Sequence, residues 1–361
     1  MAGSATERLT WHYEHPFAAA IAAAGKGTRV AGVTSNTVPW ELLRAAGYFP
    51  LVLNPARGPV PFAERYMEDG IFGARIRGIF DGLASGAWPF LSLVVIPRTS
   101  EQEHKLFLYL KELARQGLST ALPDVCLYNL LHTRSPEAER YGLERTHELI
   151  RRLGGSIDDP DLAGAIDESN QACRATRMLL ELRAGPEPRL SGTEALALIG
   201  AQYFMDRAEY ARLADDAAQE LSARAPLRAP RIVVQGTPLH HTGLYRAIES
   251  HGAVVVGEED WWGSRSVRNE MPVQGDLVQA IFESYYRHAV SPRIFPREFG
   301  DLPHPDGAVF YLPPEDDVLG WEYPRLSKTD IPSLLVREDA AHELSTECHQ
   351  RIDDFVRGLG R

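Results

Sequence analysis

Apolar and polar positions along the chain form a recognisable unit in residues 28–53. The apolar run Arg29–Val33 precedes a polar loop over residues 34–37, a short helical segment opened by Pro39, and a second apolar run over residues 48–53. Apolar runs of this length predict buried strands, and a short helix between them predicts a parallel β-α-β unit. The loop then lies at the carboxyl end of a strand and the amino end of a helix. Parallel α/β sheets bind their ligands at that position.

The same unit recurs in the second half of the chain. An apolar run over residues 231–235 precedes a loop over 236–242, a helical segment over 243–250 and another apolar run over 253–257. In both units, a loop containing Thr and Pro is followed by a helical segment with the pattern L-x-R-A, and a glycine ends that segment. The similarity indicates two similar α/β domains with facing loops. The alternative, that any two β-α-β units resemble each other, stays open at this point.

Further apolar runs place two more strands in each half of the chain. They are predicted over residues 91–96 and 119–122 in the first half, and over 307–312 and 331–336 in the second. Helical patterns separate the strands and lead into them: residues 9–25, 62–83, 101–116, 276–289 and 340–359. Four strands with helices between them suffice for a doubly wound parallel sheet in each half.

The stretch between the two halves is helical in pattern from residue 137 to about residue 225. We therefore predict an α/β protein with two doubly wound parallel-sheet domains joined by a helical block. The predicted divisions are a helical lead-in over 1–27, a first α/β domain over 28–136, the helical block over 137–227 and a second α/β domain over 228–361.

Composition and charge narrow the class of protein. The 361 residues are 44% apolar and 24% charged, which is ordinary for a globular protein. The net charge of −11 argues against nucleic acid or an anionic membrane as the main partner, but 38 Lys and Arg leave room for a local basic pocket. No apolar run is long enough to span a membrane. Three widely spaced cysteines fit a reducing compartment, so we expect a cytoplasmic protein.

The loop after the first strand is the best candidate for chemistry. Thr34, Ser35, Asn36 and Thr37 place hydroxyl and amide groups beside the free N–H groups of a helix start. Such donors favour an oxyanion or a thioester oxygen, although plain helix capping is an equal alternative. Glu41 lies in the first turn of the same helix. It is either a partner of the helix dipole or a carboxylate facing the cleft.

A second candidate lies in the matching loop of the second half. His240 and His241 precede a helix, whose positive end favours a neutral imidazole able to act as a base. Adjacent residues project differently, so they do not form a metal-binding pair, and a solvated loop is the alternative. Glu258 can supply a carboxylate partner or belong to a solvated turn. Trp261 and Trp262 are either stacking surfaces or core residues. No glycine-rich nucleotide-binding motif occurs.

Several segments in collinear order resemble one family. The stretch VAGVTSNTVPWELLRAAGYFPLVL resembles the signature of 2-hydroxyacyl-CoA dehydratase and benzoyl-CoA reductase subunits, particularly the 2-hydroxyglutaryl-CoA dehydratase D-component. Later segments are similar to the family in the same order: LVVIP, GGSIDDPDLAGAIDESN, RIVVQGTPL, IESHGAVVVGEED, DGAVFYL, WEYPRL, IPSLLVRED and RIDDFV. The resemblance covers roughly residues 28–358.

The resemblance implies a subunit of two flavodoxin-like domains joined by a helical block. In the family, subunits pair, and a four-iron, four-sulfur (4Fe–4S) cluster lies between the domains of a chain. An activator ATPase donates a low-potential electron, which the cluster passes to an acyl-CoA thioester. Expected partners are thus an acyl-CoA, a homologous cysteine-bearing subunit or a second copy, and an activator ATPase. The loop matching Thr34–Thr37 faces the cleft and contacts the substrate.

This sequence departs from the family where the cluster ligands belong. Cysteines are expected after the LVVIP strand, where the chain has Arg98, Thr99 and Ser100. Others are expected within residues 74–80 and 313–317, which contain none. The three cysteines lie elsewhere: Cys126, Cys173 and Cys348. We therefore predict no cluster and no metal ligands in this chain. Besides the Thr34–Thr37 loop, the predicted substrate-binding residues are Arg98, Thr99, Ser100, Thr237 and Trp261.

Three functional interpretations remain open from the sequence. The leading one is a subunit of a 2-hydroxyacyl-CoA dehydratase or benzoyl-CoA reductase-like complex, which encloses an acyl-CoA while a partner chain holds the redox centre. The second is a non-catalytic scaffold or ligand-binding homologue that kept the fold. The third is a cluster-free enzyme that uses His240, His241 or Glu41 for acid–base chemistry on a thioester.

Overall fold

The computed structural model describes the following parts of the chain: residues 3–55, 58–68, 70–119, 121–131, 133–155, 157–288, 304–316, 318–328, 330–339 and 343–359. Most of the proline-rich stretch 291–305, to which the sequence assigned no element, lies outside these residues, as does Asp317.

The first sheet has four parallel strands in the order β2-β1-β3-β4. They are β1 (Arg29–Val33), β2 (Tyr48–Val52), β3 (Leu91–Pro97) and β4 (Asp124–Tyr128). The strands predicted over residues 29–33, 48–53 and 91–96 are confirmed. The fourth was predicted over 119–122 and is wrong by several residues, since the buried apolar run that pairs with β3 begins only after Pro123.

Helices α1 to α6 accompany the first sheet. Their bounds are Ala5–Glu14, Ala18–Gly25, Trp40–Ala45, Pro61–Tyr66, Ala74–Ala84 and Glu101–Arg115. The single helix predicted over 9–25 is two helices, because Pro16 cannot donate a helical hydrogen bond. The single helix predicted over 62–83 is likewise two helices, and Gly70, with φ of 79°, lies in the break.

The helical block consists of α7 (Pro136–Leu153), α8 (Asp159–Ala184), α9 (Gly192–Gly200) and α10 (Arg207–Ser222). Helices α8 and α10 pack along each other, and α1 packs on α10. Small residues such as Ala175, Ala214 and Ala217 are fully buried between them and allow close approach. The predicted helical stretch is therefore present, while the predicted domain limits remain predictions.

The second sheet repeats the topology of the first, in the parallel order β6-β5-β7-β8. Its strands are β5 (Arg231–Gly236), β6 (Val254–Glu258), β7 (Gly307–Tyr311) and β8 (Ser333–Val336), with helices α11 (Gly243–Ser250), α12 (Leu277–His288), α13 (Val318–Leu326) and α14 (Thr346–Leu359). The identical strand order supports the internal repeat. Helix α13 was not predicted, since Pro324 lies inside it. The last helix begins at Thr346 rather than at residue 340.

The two sheets face each other through the loops at their carboxyl ends. The backbone N–H of Trp40, after β1, donates to the Tyr285 hydroxyl of α12 at 2.9 Å. Asn170 in the helical block exchanges two hydrogen bonds of 2.9 Å with the backbone of Met271. The largest buried apolar cluster contains residues of both sheets. Among the described residues, no helix is long and apolar enough to cross a membrane.

Candidate functional site

Three hydroxyl groups meet at the carboxyl ends of β1 and β3. The Thr37 and Thr99 hydroxyl oxygens are 2.6 Å apart, and Ser35 Oγ lies 3.3 Å from Thr99 Oγ1 and 3.4 Å from Thr37 Oγ1. Ser35 and Thr37 are each only 3% exposed. The structure thus brings together residues of the two loops that the sequence singled out. We call Ser35, Thr37 and Thr99 the hydroxyl cluster.

Two other predicted binding residues use their hydroxyls to build the fold. Thr34 is fully buried and donates to Glu103 Oε1 at 2.7 Å. Ser100 is the N-cap of α6 and forms a reciprocal capping box with the same Glu103. These contacts anchor the loop after β1 to the start of α6. Arg98 lies at the rim, with its side chain 38% exposed and 3.5 Å from Glu101.

A half-buried arginine that the sequence analysis missed supports this loop from below. Arg75 Nη2 donates to the carbonyl oxygens of Thr34 at 2.6 Å and Leu53 at 2.8 Å. Its guanidinium lies 5.7 Å from the centre of the Trp261 ring. Burial lowers the pKa of Arg75 to about 10, with Glu103 acting in the opposite direction. Only the three-dimensional fold brings α5 under the loop, so no local sequence signal marks this residue.

Asn36, the remaining member of the first loop, contacts the second half of the chain. Asn36 Nδ2 donates to the Trp261 carbonyl at 3.2 Å, and the Tyr203 hydroxyl donates to the same carbonyl at 2.7 Å. Trp262 is 1% exposed, and its indole N–H donates to the Leu196 carbonyl at 3.0 Å. Trp261 therefore lies at the boundary between the two halves, whereas Trp262 is a core residue.

Glu41 lies in the first turn of α3, and its carboxylate belongs to a buried ion-pair triad. Its Oε1 is 3.1 Å from Arg268 Nη2 and 3.4 Å from Arg207 Nη1, and Arg207 also donates to Ser169 Oγ at 2.6 Å. Glu41 is fully buried, and both arginines are 7% exposed. Burial alone would raise the pKa of Glu41, but Arg268 and Arg207 outweigh it and hold the pKa below its usual value. A permanently ionised, doubly paired carboxylate is a poor general base, which argues against the predicted catalytic role.

A small cavity opens between the hydroxyl cluster and the triad. The cavity is narrow and leaves room for about one water molecule. The residues that line the cavity include Ser35, Asn36, Trp40, Arg207, Ser266, Arg268 and Tyr285.

The loop after β5 does not bring Glu258 to the histidines as a carboxylate partner. His240 and His241 are half-buried with their rings 5.0 Å apart, and the Tyr13 hydroxyl donates to the His240 carbonyl at 3.0 Å. Thr237 Oγ1 donates to Asp316 at 2.5 Å. Glu258, considered as a carboxylate partner for the histidines or a solvated turn residue, is neither.

The Glu258 carboxylate is instead buried against Arg183. Arg183 donates to it through its two terminal nitrogens, Nη1 and Nη2. The Tyr245 hydroxyl at 3.3 Å and the Ser264 N–H at 2.7 Å also donate to it. Nearby, Asp260 accepts from the backbone N–H groups of Leu239, Trp262 and Gly263 at 2.8 to 3.1 Å. Burial and the Glu258 charge raise the pKa of Asp260 to about 7. These carboxylates fix the loops after β5 and β6.

The donor set of this region does not fit a 4Fe–4S cluster, which requires several converging thiolates. Hydroxyls occupy the loops after β1 and β3, and no thiol occurs among residues 313–316 after β7. Cys126, Cys173 and Cys348 lie in β4, α8 and α14. Burial raises the pKa of Cys126 to about 11, which disfavours a thiolate. In the described parts of the chain, no group of three or more His, Cys, Asp or Glu side chains is arranged to hold a metal ion.

Two parallel-sheet domains of identical topology define a two-domain flavodoxin-like α/β protein, and the loops that meet at the carboxyl ends of its strands are the candidate site. A family model described as 2-hydroxyglutaryl-CoA dehydratase, D-component, matches residues 36–359. The chain belongs to this family, which confirms the resemblance seen in the sequence.

One relative among curated proteins gives a more distant comparison. The chain is 28% identical over 212 residues to a protein of Escherichia coli (strain K12) that bears the provisional name dehydratase subunit YjiM. The aligned region covers 54% of this chain and 52% of that protein, so the chain matches about half the length of its relative. The family model, which covers most of the chain, carries the family assignment, and the distant relative agrees with it.

Proposed function

We propose that this protein is a dehydratase-component subunit that binds an acyl-CoA thioester in the cleft between its two domains. The observation that carries the proposal is the hydroxyl cluster. Three hydroxyl donors converge within 2.6 to 3.4 Å of one another at the carboxyl ends of two adjacent parallel strands. Donors fixed in advance around one point favour an oxygen atom that carries partial negative charge, such as that of a thioester. Ser35, Thr37 and Thr99 are the proposed donors.

The electron chemistry of the proposed complex belongs to a partner chain. The residues of this chain do not fit an iron–sulfur cluster, so a homologous cysteine-bearing subunit would hold the redox centre, and an activator ATPase would supply the electron. In that arrangement this chain binds and orients the acyl group and shields it from water. The cytoplasm, where such partners remain reduced, is the proposed location.

Substrate entry requires the two halves of the cleft to separate. The cavity has room for about one water molecule, whereas an acyl thioester is many times larger. Hydrogen bonds from Asn36 to the Trp261 carbonyl and from Trp40 N–H to Tyr285 close the cleft on this side. Binding therefore has to replace these contacts, which favours domain opening of the hinge type. Arg98 is half-exposed at the rim and is suitably placed to contact an anionic part of the ligand.

Removal of two hydroxyls tests the proposed site. Titration calorimetry should compare wild-type protein with the Ser35→Ala/Thr37→Val double variant on a panel of acyl-CoA thioesters, with the partner subunit present. Loss of a hydrogen bond to a buried polar group costs roughly 1–3 kcal/mol, so we expect about 5- to 150-fold weaker binding.

The matched control is Ser222→Ala combined with Arg151→Ala, which changes two exposed side chains far from the cleft. This control should bind like wild type. Equal binding by the cleft variant and wild type would remove the hydroxyl cluster from the site. No binding by wild type with its partner present would refute the proposal and leave a scaffold.

The scaffold function is the second candidate, and the closed cavity favours it. The carboxylates that were considered for acid–base chemistry, Glu41 and Glu258, are both committed to buried arginine pairs. This pairing also weighs against a cluster-free enzyme built around His240 or His241. A stable complex with the partner subunit, formed without any affinity for acyl-CoA, is the result expected of a scaffold.

A further inference from the structure

The buried triad of Glu41, Arg207 and Arg268 contains more positive than negative charge. Two guanidinium groups, each 7% exposed, face a single carboxylate that is fully buried. Both arginines also lie against aromatic rings, Arg207 at 4.3 Å from the centre of the Trp40 ring and Arg268 at 3.9 Å from that of Tyr285. The rings fix the guanidinium planes but do not neutralise them. A buried cation without a counter-charge is unfavourable, so a second anion would stabilise this arrangement.

Three unpartnered donor atoms of the triad and its neighbours belong to residues that line one cavity, and Glu41 Oε2 is a further buried atom of the triad without a partner. Arg268 Nη1, Arg207 Nε and Ser266 Oγ are buried and have no hydrogen-bond partner among the described residues. All three side chains line the narrow cavity beside the hydroxyl cluster. Buried donors normally find a partner, and a group of them around one space indicates a missing acceptor.

We propose that this cavity binds a small monovalent anion, of halide or formate size, between Arg268, Arg207 and Ser266. The charge follows from the excess of one positive charge in the triad. The size follows from a cavity that leaves room for about one water molecule. Asn36 Oδ1, the fourth unpartnered atom at the cavity wall, is an acceptor, so it is not among the proposed ligands of the anion. The proposal is independent of acyl-CoA binding, because a free anion needs no thioester.

Ser266→Ala provides a sharp test. The Ser266 hydroxyl has no protein partner, so its removal should not weaken the anion-free fold, yet it deletes one donor to the anion. Ser284→Ala is the matched control, since Ser284 Oγ is also buried without a partner but does not line this cavity. Chloride, bromide and formate should be titrated separately at constant ionic strength, with sodium sulfate as the balancing salt. The readouts are the unfolding temperature and titration calorimetry.

Wild type and Ser284→Ala should show saturable stabilisation by all three anions, as expected for a ligand that binds only the folded state. Ser266→Ala should bind them roughly tenfold more weakly, because a charge-assisted hydrogen bond is lost. Arg268→Lys, which keeps the charge but loses the planar fork, should also bind more weakly. A crystal grown in bromide should give an anomalous peak beside Arg268.

The proposal is overturned if wild type shows no saturable response, if Ser266→Ala binds as well as Ser284→Ala, or if the cavity contains only water in the bromide crystal. None of these probes contains coenzyme A. A failure of the acyl-CoA experiment would therefore leave this result unchanged, and the reverse also holds.

Discussion

At the scale of single residues, buried charges are the most distinctive feature of this protein. Glu41, Arg207 and Arg268 come from three separate parts of the chain, 166 and 227 residues apart from Glu41, and meet where water is excluded. The aromatic contacts and the Ser169 hydroxyl hold them in place. A single carboxylate thereby joins the first domain, the helical block and the second domain.

Glu41→Gln should destabilise the protein strongly, because removal of one partner leaves two buried arginines without their counter-charge. Breaking a buried ion pair in this way typically costs about 3–5 kcal/mol. Urea unfolding at neutral pH would measure the loss, with Glu181→Gln on the exposed surface of α8 as the control. A change in the free energy of unfolding no larger than that of the control would contradict the structural role of the triad.

The pH dependence of the stability of wild type and of Glu41→Gln provides a second readout. The pKa of Glu41 is lower in the folded protein than in the unfolded chain, where it is about 4.3. Its contribution to stability is therefore fully present above the unfolded pKa and is lost as pH falls through the folded pKa. The difference in stability between wild type and Glu41→Gln should be constant near neutral pH and should shrink as the solution becomes acidic.

At the scale of elements, the close pairing of β5 and β7 depends on one glycine. Gly236, the last residue of β5, has φ of 123°, and a Cβ there would lie 2.0 Å from the Tyr311 carbonyl oxygen. Gly252, after α11, also has a positive φ, of 91°, but nothing lies within 4 Å of its would-be Cβ. A comparison of substitutions at these two positions therefore separates the cost of backbone strain from the cost of a steric clash.

Gly236→Ala should therefore destabilise the protein far more than Gly252→Ala. Strain at a positive φ costs of order 1–3 kcal/mol, and only Gly236 adds a collision with the backbone of the neighbouring strand. Urea unfolding of the two variants beside wild type measures the difference. Equal losses for both would show that β7 can move away from β5 without cost.

Most elements were predictable because the chemistry that forms them is local. Apolar runs marked most of the strands, and the repeated unit of strand, Thr- and Pro-containing loop and helix indicated two similar α/β domains. Errors occurred where one residue changes the backbone. Pro16 and Gly70 divide predicted helices, Pro123 delays β4, and Pro324 concealed α13. The errors at Pro16, Gly70 and Pro123 follow from weighting the apolar pattern above the conformational limits of proline and glycine, whereas α13 contains a proline that those limits would place outside a helix.

At the scale of the whole molecule, the candidate site was predictable only in outline. The rule that ligands bind at the carboxyl ends of parallel strands located the loops containing Ser35, Thr37 and Thr99. The partners of Glu41 and Glu258 could not be foreseen, because Arg268 and Arg183 are distant in sequence and only the fold brings them close. Arg75 was missed for the same reason. The sequence indicates which loops meet. Long-range ion pairs, which only the fold brings together, determine which side chains remain available to a ligand.

The cysteines permit the last prediction, which concerns iron. Protein purified without oxygen should contain negligible iron and sulfide per chain, since cluster ligation needs converging thiolates. Cys126, Cys173 and Cys348 are all buried in separate elements, and burial raises the pKa of Cys126 and of Cys348. Iron and sulfide assays with electron paramagnetic resonance should compare the isolated chain with its triple Cys→Ser variant. A stoichiometric four-iron signal that the wild-type chain retains and the variant loses would show that these thiols do converge.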